Sequence, residues 1–352
     1  TPLGVALPVI ERIIRDLKNC CPSLIEITPA GSVRRWEETV GDIDIMGTST
    51  DPTDVGDALV GLPYISDVIV HGPKKTSVLV DQGLQVDLRI VDEASFGALV
   101  QYFTGSQQHN VGLRRFANDM GLSLNEYGIT DLITGEQEGF SNESDYYGRL
   151  GLQHIPPEIR EGVAEIELAA KHVLPDLVRV SDIQGDLHMH SNWSDGKQPI
   201  DEMLKSASRF GHKYVAITDH SSGLKIANGL SNERRQKQTA LLRSMDVDGL
   251  VVLAGAEVDI RADGSLDYPD DILCDLDVVI ASIHSAMGQS MEAMTARIIT
   301  AMRNPFVTFI GHPTARLIGS RDPVDVDMEV ILQAAVETGT GLEINSSPER
   351  LD

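Results

Sequence analysis

The hydrophobic and polar positions of this chain follow two patterns that meet near residue 180. Before that point, apolar residues from Val5 to Lys18 recur at helical spacing, and short segments then alternate as strands do. The predicted strands are 24–28, 42–46, 77–80 and 84–90, with Asp81-Gln82-Gly83 as the turn between the last two. Helices are predicted over 95–103, 111–120 and from Pro156 to about Val173, with a loop over 134–148. This pattern predicts a small sheet accompanied by helices.

After residue 180, apolar strands alternate with helices in repeated βα units. The predicted strands are 186–190, 214–218, 251–254, 278–282, 307–310 and 341–344, and the predicted helices are 200–209, 232–245, 291–303 and 324–337. Repeated βα units favour a parallel α/β barrel, whose functional residues lie at the carboxyl ends of its strands. The boundary between the two patterns is predicted within residues 174–184.

The chain is acidic, with 29 Lys and Arg against 53 Asp and Glu and a formal net charge of −24. Residues 1–180 hold 14 of the basic and 27 of the acidic residues, so both parts share the excess. Because DNA binding usually requires a basic surface, charge alone argues against nucleic acid. The three cysteines lack metal-binding CxxC spacing, and no apolar stretch reaches the ~18–20 residues of a membrane helix. We therefore expect a cytoplasmic, globular protein without membrane contact.

Asp42 and Asp44 are two apart on a predicted strand, so their carboxylates project from one face, with Cα atoms roughly 6.6 Å apart. Two aligned acids repel unless a cation lies between them. Asp87 on a neighbouring strand completes a three-carboxylate site of the two-metal kind, for which Mg²⁺ is the natural occupant. Just upstream, Gly31-Ser32 with Arg34 and Arg35 offers groups that suit a triphosphate.

These residues resemble the nucleotidyltransferase fold of the family X DNA polymerases, the DNA polymerase β family. The motifs are Gly31-Ser32-Val33-Arg34-Arg35, Gly41-Asp42-Ile43-Asp44, Val86-Asp87-Leu88-Arg89 and Tyr102-Phe103-Thr104-Gly105-Ser106, followed by Asn110, Arg114 and Tyr127. The similarity covers about residues 5–150.

The resemblance implies a role for each matching residue. Asp42, Asp44 and Asp87 would hold two Mg²⁺ ions, or Mn²⁺ in their place, with Asp87 also aligning the primer 3′-hydroxyl. Ser32, Arg35 and Gly41 would bind the triphosphate, Tyr102 and Phe103 would lie against the sugar, and Asn110 would touch the incoming base. Gly31 and Gly105 would also belong to the nucleotide-binding site. Arg114 and Tyr127 would contact DNA.

A second group of candidate ligands follows the predicted strands of the second part. It comprises His188, His190, Asp195, His220, Glu257, His284 and His312. Because the strand ends of a barrel meet at one mouth, these seven groups are predicted to converge on metal ions. Mixed imidazole and carboxylate ligands favour Zn²⁺, Mn²⁺ or Fe²⁺ over Mg²⁺.

The motifs His-Met-His-Ser with Ser-Asp-Gly, Thr-Asp-His-Ser, Glu-Val-Asp-Ile and Gly-His-Pro resemble the polymerase and histidinol phosphatase (PHP) domain over about residues 182–352. The resemblance implies a seven-stranded barrel with up to three metals, Zn²⁺ or Mn²⁺, and phosphoesterase activity. His188, His190 and Glu257 would hold one metal, and Asp195 and His220 a second. Glu257 would bridge to a third, held with His284 and His312.

Two departures from these families shape our expectations. The last PHP motif, an Asp-x-His after the Glu343 strand, is not found before Asp352, from which we expect a weakened or partly occupied metal cluster. The chain also begins, at Thr1, after the lyase-like and helix-hairpin-helix region usual in family X polymerases. We therefore expect it to bind DNA weakly and with strong salt dependence.

Taken together, the motifs predict an α/β chain with a polymerase palm and thumb of mixed sheet and helices, followed by a distorted (β/α)7 PHP barrel. The predicted boundaries are 1–150, a helical linker over 151–181, and 182–352. The predicted function is gap-filling DNA synthesis in repair, together with 3′–5′ exonuclease activity. The predicted substrates are gapped or primer–template DNA and deoxynucleoside triphosphates. The protein is predicted to be a cytoplasmic, nucleoid-associated monomer. The alternatives are a small-substrate phosphoesterase with a degenerate nucleotidyltransferase, and a non-catalytic DNA-binding scaffold.

Overall fold

The computed structural model describes residues 1–80 and 83–352, so Asp81 and Gln82 of the predicted turn lie outside it. The chain divides into two compact units, Thr1–Asp176 and Leu177–Asp352. No helix in the described ranges is long and apolar enough to cross a membrane.

The first unit contains seven α-helices and eight strands within its described residues. Its helices are α1 (Leu3–Cys20), α2 (Gly31–Arg34), α3 (Pro52–Val60), α4 (Phe96–Thr104), α5 (Gln107–Asp119), α6 (Glu143–Arg149) and α7 (Glu165–Ala170). Its strands are β1 (Leu24–Pro29), β2 (Ile43–Ser49), β3 (Ile65–His71), β4 (Lys75–Val80), β5 (Leu84–Val91), β6 (Leu122–Asn125), β7 (Gly128–Asp131) and β8 (Gln137–Glu138).

A five-stranded mixed sheet in the order β1-β2-β5-β4-β3 forms the base of this unit. Strands β2 and β5 are parallel, and the other neighbours are antiparallel. Alternation along β2 sends Ile43 and Ile45 into a core shared with the apolar stripe of α1, whereas Met46 packs with Phe96 of α4. Asp44 has the parity of Met46, so it lies on the α4 side of the sheet.

The region after α5 differs from the prediction in two places. The predicted loop over 134–148 contains β8 and α6, because Asn142 caps the helix by accepting a hydrogen bond from the Asp145 N–H. The predicted helix from Pro156 to Val173 is wrong. The segment begins with a 3₁₀ turn at Pro157–Ile159, and Gly162 then lies in the left-handed region at φ +76°. The rest of the predicted helix contains the short α7.

The second unit is a parallel β/α unit, as predicted. Its strands are β9 (Gly185–Met189), β10 (Tyr214–Ile217), β11 (Val251–Asp259), β12 (Val278–Ser282), β13 (Phe309–Ile310) and β14 (Gly341–Leu342). Its helices are α8 (Ile200–Phe210), α9 (Asn232–Ser244), α10 (Asp270–Leu273), α11 (Met291–Met302) and α12 (Met328–Thr338).

The six strands of this unit stand in sequence order, and every neighbouring pair is parallel. All six predicted strands are therefore present. Because the strands are parallel, their carboxyl ends share one edge of the sheet, and the loops that carry the predicted histidines begin there.

Candidate active sites

The first candidate site lies where β2 and β5 run side by side. Asp44 stands directly opposite Asp87 in the parallel register, and Asp42 precedes β2 by one residue. Gly31, at φ +59°, approaches so closely that a Cβ there would lie 2.6 Å from Asp44 Oδ2. The structure therefore brings Gly31 and two of the three predicted catalytic aspartates together.

The two facing aspartates have different electrostatic environments. Burial, and after it the nearby charges of Asp42 and Asp87, raise the pKa of Asp44 to about 6. Burial also acts to raise the pKa of Asp87, but Lys75 and Gln85 outweigh it and hold that pKa below its usual range. Lys75 Nζ lies 2.6 Å from Asp87 Oδ2, and Gln85 donates to Oδ1 at 2.9 Å. A cation between the carboxylates would relieve the repulsion that Asp44 experiences. The carboxylate oxygens of these aspartates are donors that fit Mg²⁺ or Mn²⁺.

Helix α2 connects this acidic edge to the segment between α4 and α5. Arg35 donates from Nη1 to the Thr104 carbonyl oxygen at 2.5 Å and lies against Gly105, which has φ +69°. Ser32 is half-buried in α2, and Gly41 lies in an exposed bend before Asp42. The predicted triphosphate residues thus lie on α2, on the bend before β2 and beside Gly105.

The residues predicted to face the sugar and base lie around the end of α4. Tyr102 and Phe103 pack edge to face with ring centres 5.2 Å apart, and the Arg89 guanidinium lies over Phe103 at 4.3 Å. The Asn110 side chain is held within the protein, since it donates to the Tyr102 carbonyl oxygen at 2.7 Å and accepts from Gln101 at 2.9 Å.

The two predicted DNA contacts lie on different elements. Arg114 is half-buried on α5, one helical turn after Asn110. Tyr127 lies at the turn between β6 and β7, exposed by 41%, with Lys74 Nζ 5.9 Å from its ring centre.

A buried ion network beneath this site was not predicted. Glu143 of α6 accepts from Arg34 Nη2 at 2.6 Å and from Arg160 Nη1 at 2.7 Å. Arg34 also donates to Thr104 Oγ1 at 2.7 Å, so this arginine is engaged within the protein beside the Arg35 contact. The sequence pattern could not predict this ion pair, because Arg34 and Glu143 are 109 positions apart.

The second candidate site is centred on Glu257, which is buried at the carboxyl end of β11. Five imidazoles surround its carboxylate, and we call these six residues the histidine cluster. Glu257 Oε2 lies 3.3 Å from His188 Nε2, 3.3 Å from His190 Nε2 and 3.0 Å from His220 Nδ1, while Oε1 lies 3.2 Å from His284 Nε2 and 2.9 Å from His312 Nε2. The structure thus brings six of the seven predicted ligands into one cluster.

The seventh predicted ligand, Asp195, lies beside the cluster on the loop after β9. Its carboxylate is 3.6 Å from His190 Nδ1 and 3.5 Å from His220 Nε2. The loop is held by Asp219, which is completely buried and accepts hydrogen bonds from Ser191 and Ser194. Asp219 was missed because it acts through the loop and is not itself a ligand.

Two further carboxylates orient the imidazoles from outside, and neither was predicted as a site residue. Glu343 lies 2.6 Å from His188 Nδ1, and Asp259 pairs with His284 Nδ1. A carboxylate on the far nitrogen of a metal-ligating histidine fixes the ring and raises its basicity. Asp259 follows Glu257 by two positions on the same face of β11, so its spacing could have revealed it.

The histidine cluster fits metal ions on two observations. First, His220 Nδ1 lies 3.0 Å from the Glu257 carboxylate without a hydrogen bond to it, and three sets of ligand atoms each lie within 4.8 Å of one another. Second, burial alone would lower the pKa of His188, but Glu257 and Glu343 outweigh it and raise that pKa to about 10. The carboxylates therefore favour positive charge here, which divalent cations would supply in exchange for protons.

The sets of ligand atoms are His188 with His190 and Glu257, His190 with Asp195 and His220, and His220 with Glu257 and His284. His190 and His220 each belong to two sets. The geometry therefore allows sharing of ligands between neighbouring ions beyond the bridging predicted for Glu257.

Comparison with known proteins gives matches for both units. The family model described as DNA polymerase beta thumb matches residues 99–161, and the model described as PHP domain matches residues 186–347. The DNA polymerase/3′-5′ exonuclease PolX of Bacillus subtilis (strain 168) is 41% identical over 355 aligned positions, covering 100% of this chain and 62% of the relative. A probable phosphatase of Thermoanaerobacter sp. (strain X514) is 34% identical over 168 positions, which are 46% of this chain and 64% of that protein.

The chain thus spans less than two thirds of the length of these relatives. Within that span, the thumb match covers part of the first unit and the PHP match covers most of the second. The chain therefore contains segments that match a DNA polymerase beta thumb and a PHP domain, and over its whole length it is similar to a relative named as a DNA polymerase and 3′-5′ exonuclease.

Proposed function

We propose that this chain synthesises DNA at the first site and removes 3′-terminal nucleotides at the second. The observation that carries the proposal is that one chain contains two separate groups of side chains of the kinds that bind cations. One consists of carboxylates facing each other across parallel strands, and the other of a carboxylate surrounded by five imidazoles. Similarity to a relative named as a DNA polymerase and 3′-5′ exonuclease supports it.

At the first site, Asp42, Asp44 and Asp87 would hold two Mg²⁺ ions, with Mn²⁺ as a substitute. Such ions neutralise charge on the attacking and leaving oxygens of an in-line displacement. Asp87 would align the primer 3′-hydroxyl, and Lys75 would leave its contact with Asp87 as the cation binds.

The substrates at this site would be deoxynucleoside triphosphates and gapped or primer–template DNA. Four residues would bind the triphosphate: Gly31, Ser32, Arg35 and Gly41. Tyr102, Phe103 and Gly105 would face the sugar, Asn110 the base, and Arg114 and Tyr127 the DNA.

At the second site, the histidine cluster and Asp195 would hold Zn²⁺ or Mn²⁺ ions. Such ions lower the pKa of water and stabilise charge on a phosphoester. Glu343 and Asp259 would keep the rings of His188 and His284 aimed at the ions. We also propose palm and thumb boundaries of 1–150, a linker over 151–181 and a PHP domain over 182–352, in a cytoplasmic, nucleoid-associated monomer.

The test is a labelled primer annealed next to a gap, incubated with Mg²⁺ or Mn²⁺, with and without deoxynucleotides. We expect lengthening with deoxynucleotides and shortening without them. Release of phosphate from a small monoester with no change in primer length would favour a small-substrate phosphoesterase. Binding of DNA with neither reaction would favour a non-catalytic scaffold.

Two variants separate the sites. Asp44→Ala should abolish lengthening and leave shortening, and His190→Ala should do the reverse. Asp57→Ala and His172→Ala, at exposed positions that belong to neither candidate site, are the matched controls. Equal loss of both activities in each site variant would contradict two independent sites.

A further inference from the structure

The histidine cluster opens into a cleft of about 310 Å³ whose wall includes residues outside the predicted ligand set. Beyond Asp195 and the cluster, the cleft is lined by Asn345, Ser347 and Arg350. Arg350 is the one lysine or arginine among the lining residues in the described part of the chain. A permanent cation at the edge of a metal-binding cleft is a feature that ligand spacing alone does not explain.

The fold holds Arg350 at this position through a closed C-terminal turn. The Asn345 N–H donates to the Asp352 carbonyl oxygen at 2.8 Å, which closes the turn, and the Arg350 N–H donates to the Ser347 carbonyl oxygen at 2.8 Å. Arg316 donates from Nε to the Arg350 carbonyl oxygen at 2.9 Å, and Thr314 donates from Oγ1 to the Asp352 carboxylate at 2.6 Å. Arg350 is thus fixed by its backbone against the loop after β13.

The three new lining residues have different roles. Asn345 is occupied, because its side chain donates to Glu343 at 3.1 Å and accepts from the Ser347 N–H at 3.0 Å. The Arg350 guanidinium is half-buried and donates from Nη1 to the Arg316 carbonyl oxygen at 3.1 Å, which orients its planar group. Ser347 is exposed at the rim. The wall therefore presents an oriented guanidinium and a hydroxyl beside the cluster.

An oriented guanidinium is suited to the paired oxygens of a phosphate, and it keeps its charge throughout the working pH range. The carboxylates that line the cleft contact histidines: Glu257 is surrounded by the cluster imidazoles, and Asp195 lies beside His190 and His220. Among the described residues that line the cleft, Arg350 is the one with a guanidinium or ammonium group, so it is the side chain best suited to bind a phosphoryl group that reaches the cluster.

We propose that Arg350, assisted by the Ser347 hydroxyl, binds the non-bridging oxygens of the 3′-terminal phosphodiester that the second site cleaves. This rests on the exonuclease activity proposed above. Arg350 is a substrate-binding residue in this scheme, and its contribution falls on substrate affinity and product affinity. It is not a metal ligand, so metal retention does not depend on it.

The test compares the metal-loaded wild-type chain with Arg350→Gln, Arg350→Lys and the control Arg303→Ala, at an exposed position at the end of α11. Loss of a charge-assisted phosphate contact predicts a rise of about 10-fold or more in KM for 3′–5′ hydrolysis in Arg350→Gln. Arg350→Lys should retain part of the affinity, and Arg303→Ala all of it. Metal content and lengthening of a primer should match the wild type in every variant.

A second readout uses thymidine 5′-monophosphate, the product released from a 3′-terminal thymidine. It should raise the melting temperature of the Mn²⁺-loaded wild-type and Arg303→Ala chains, and raise it less in Arg350→Gln. An unchanged KM and an unchanged product effect in a metal-loaded Arg350→Gln chain would overturn the proposal, as would loss of metal from that variant. Failure of the wild-type chain to shorten any primer would instead refute the proposed exonuclease activity.

Discussion

Replacing Glu143 tests whether the buried ion network beneath the first candidate site stabilises the first unit. Glu143 is 7% exposed and pairs with Arg160, whose side chain is completely buried, and with Arg34. Burial acts to raise the pKa of Glu143, but His154, Arg160 and Arg34 outweigh it and hold that pKa well below its usual range. The carboxylate is therefore charged in the folded protein, and its removal leaves two guanidinium groups without their shared partner.

The magnitude follows from that geometry. Removing one member of a buried ion pair costs about 3–5 kcal/mol, because the remaining charge is left uncompensated. We expect Glu143→Ala to lose free energy of unfolding in that range. Glu143→Gln should lose less, since it keeps an acceptor for Arg160 while losing the charge.

The pH dependence has a definite sign. A carboxyl whose folded pKa is depressed stabilises the protein above its unfolded pKa, about 4.3 for Glu, and loses that contribution as pH falls through the folded value. The difference between wild type and Glu143→Gln should therefore be full at pH 7. It should shrink only as the solution is made more acidic than about pH 4.

Hydrogen exchange measured by mass spectrometry in increasing urea resolves the two units. Peptides from α4 and α6 should exchange at lower urea in Glu143→Ala, whereas peptides from β12 in the second unit serve as the internal control. Glu138→Ala, which removes an exposed carboxylate paired with Arg149, is the matched variant and should change stability by less than about 1 kcal/mol. A Glu143→Ala chain within 0.5 kcal/mol of the wild type would refute the reasoning.

Three further predictions follow from the sites. Gly31→Ala should reduce primer extension by at least about 100-fold and spare shortening, because its Cβ would meet Asp44 Oδ2 at 2.6 Å in a left-handed backbone; normal extension would contradict this close approach. Asp259→Asn should lower metal affinity about 10- to 100-fold, measured by competition with a chromogenic chelator, and unchanged affinity would show that His284 needs no orienting carboxylate. Chelation should lower the melting temperature of the second unit, and Mn²⁺ or Zn²⁺ should restore it. An unchanged melting temperature in the presence of chelator would mean that metal binding does not stabilise the folded second unit.

Local patterns predicted most of the strands that position the sites. The alternation around Asp44 and Asp87 placed both on strands, and the six apolar runs after residue 180 are all parallel strands in the structure. These segments were predictable because the side-chain period of a strand shows within a few residues.

The errors came from side-chain contacts that the hydrophobic period of a helix or strand does not reveal. The segment from Pro156 to Val173 contains good helix formers, but Arg160 turns inward to Glu143 and the Ile155 carbonyl oxygen. Glu165 accepts the Gly162 and Val163 N–H groups and begins a separate short helix. Glu343 is hidden for the same reason, because it meets His188 across 155 positions.

The formal net charge of −24 alone argues against binding of nucleic acid, but the positions of the acidic residues lead to a different conclusion. Glu257 is enclosed by imidazoles, and Asp44 faces Asp87 where burial, together with the charges of Asp42 and Asp87, raises the pKa of Asp44 to about 6. In both places the acids create a local demand for cations, and bound divalent ions would reverse the sign that an approaching phosphate meets. Under the proposed function, Arg35 beside the first site and Arg350 beside the second would then act on a phosphate already attracted by the ions. Net charge therefore predicts long-range repulsion that salt would screen, whereas the proposed reactions on DNA would depend on these few positions.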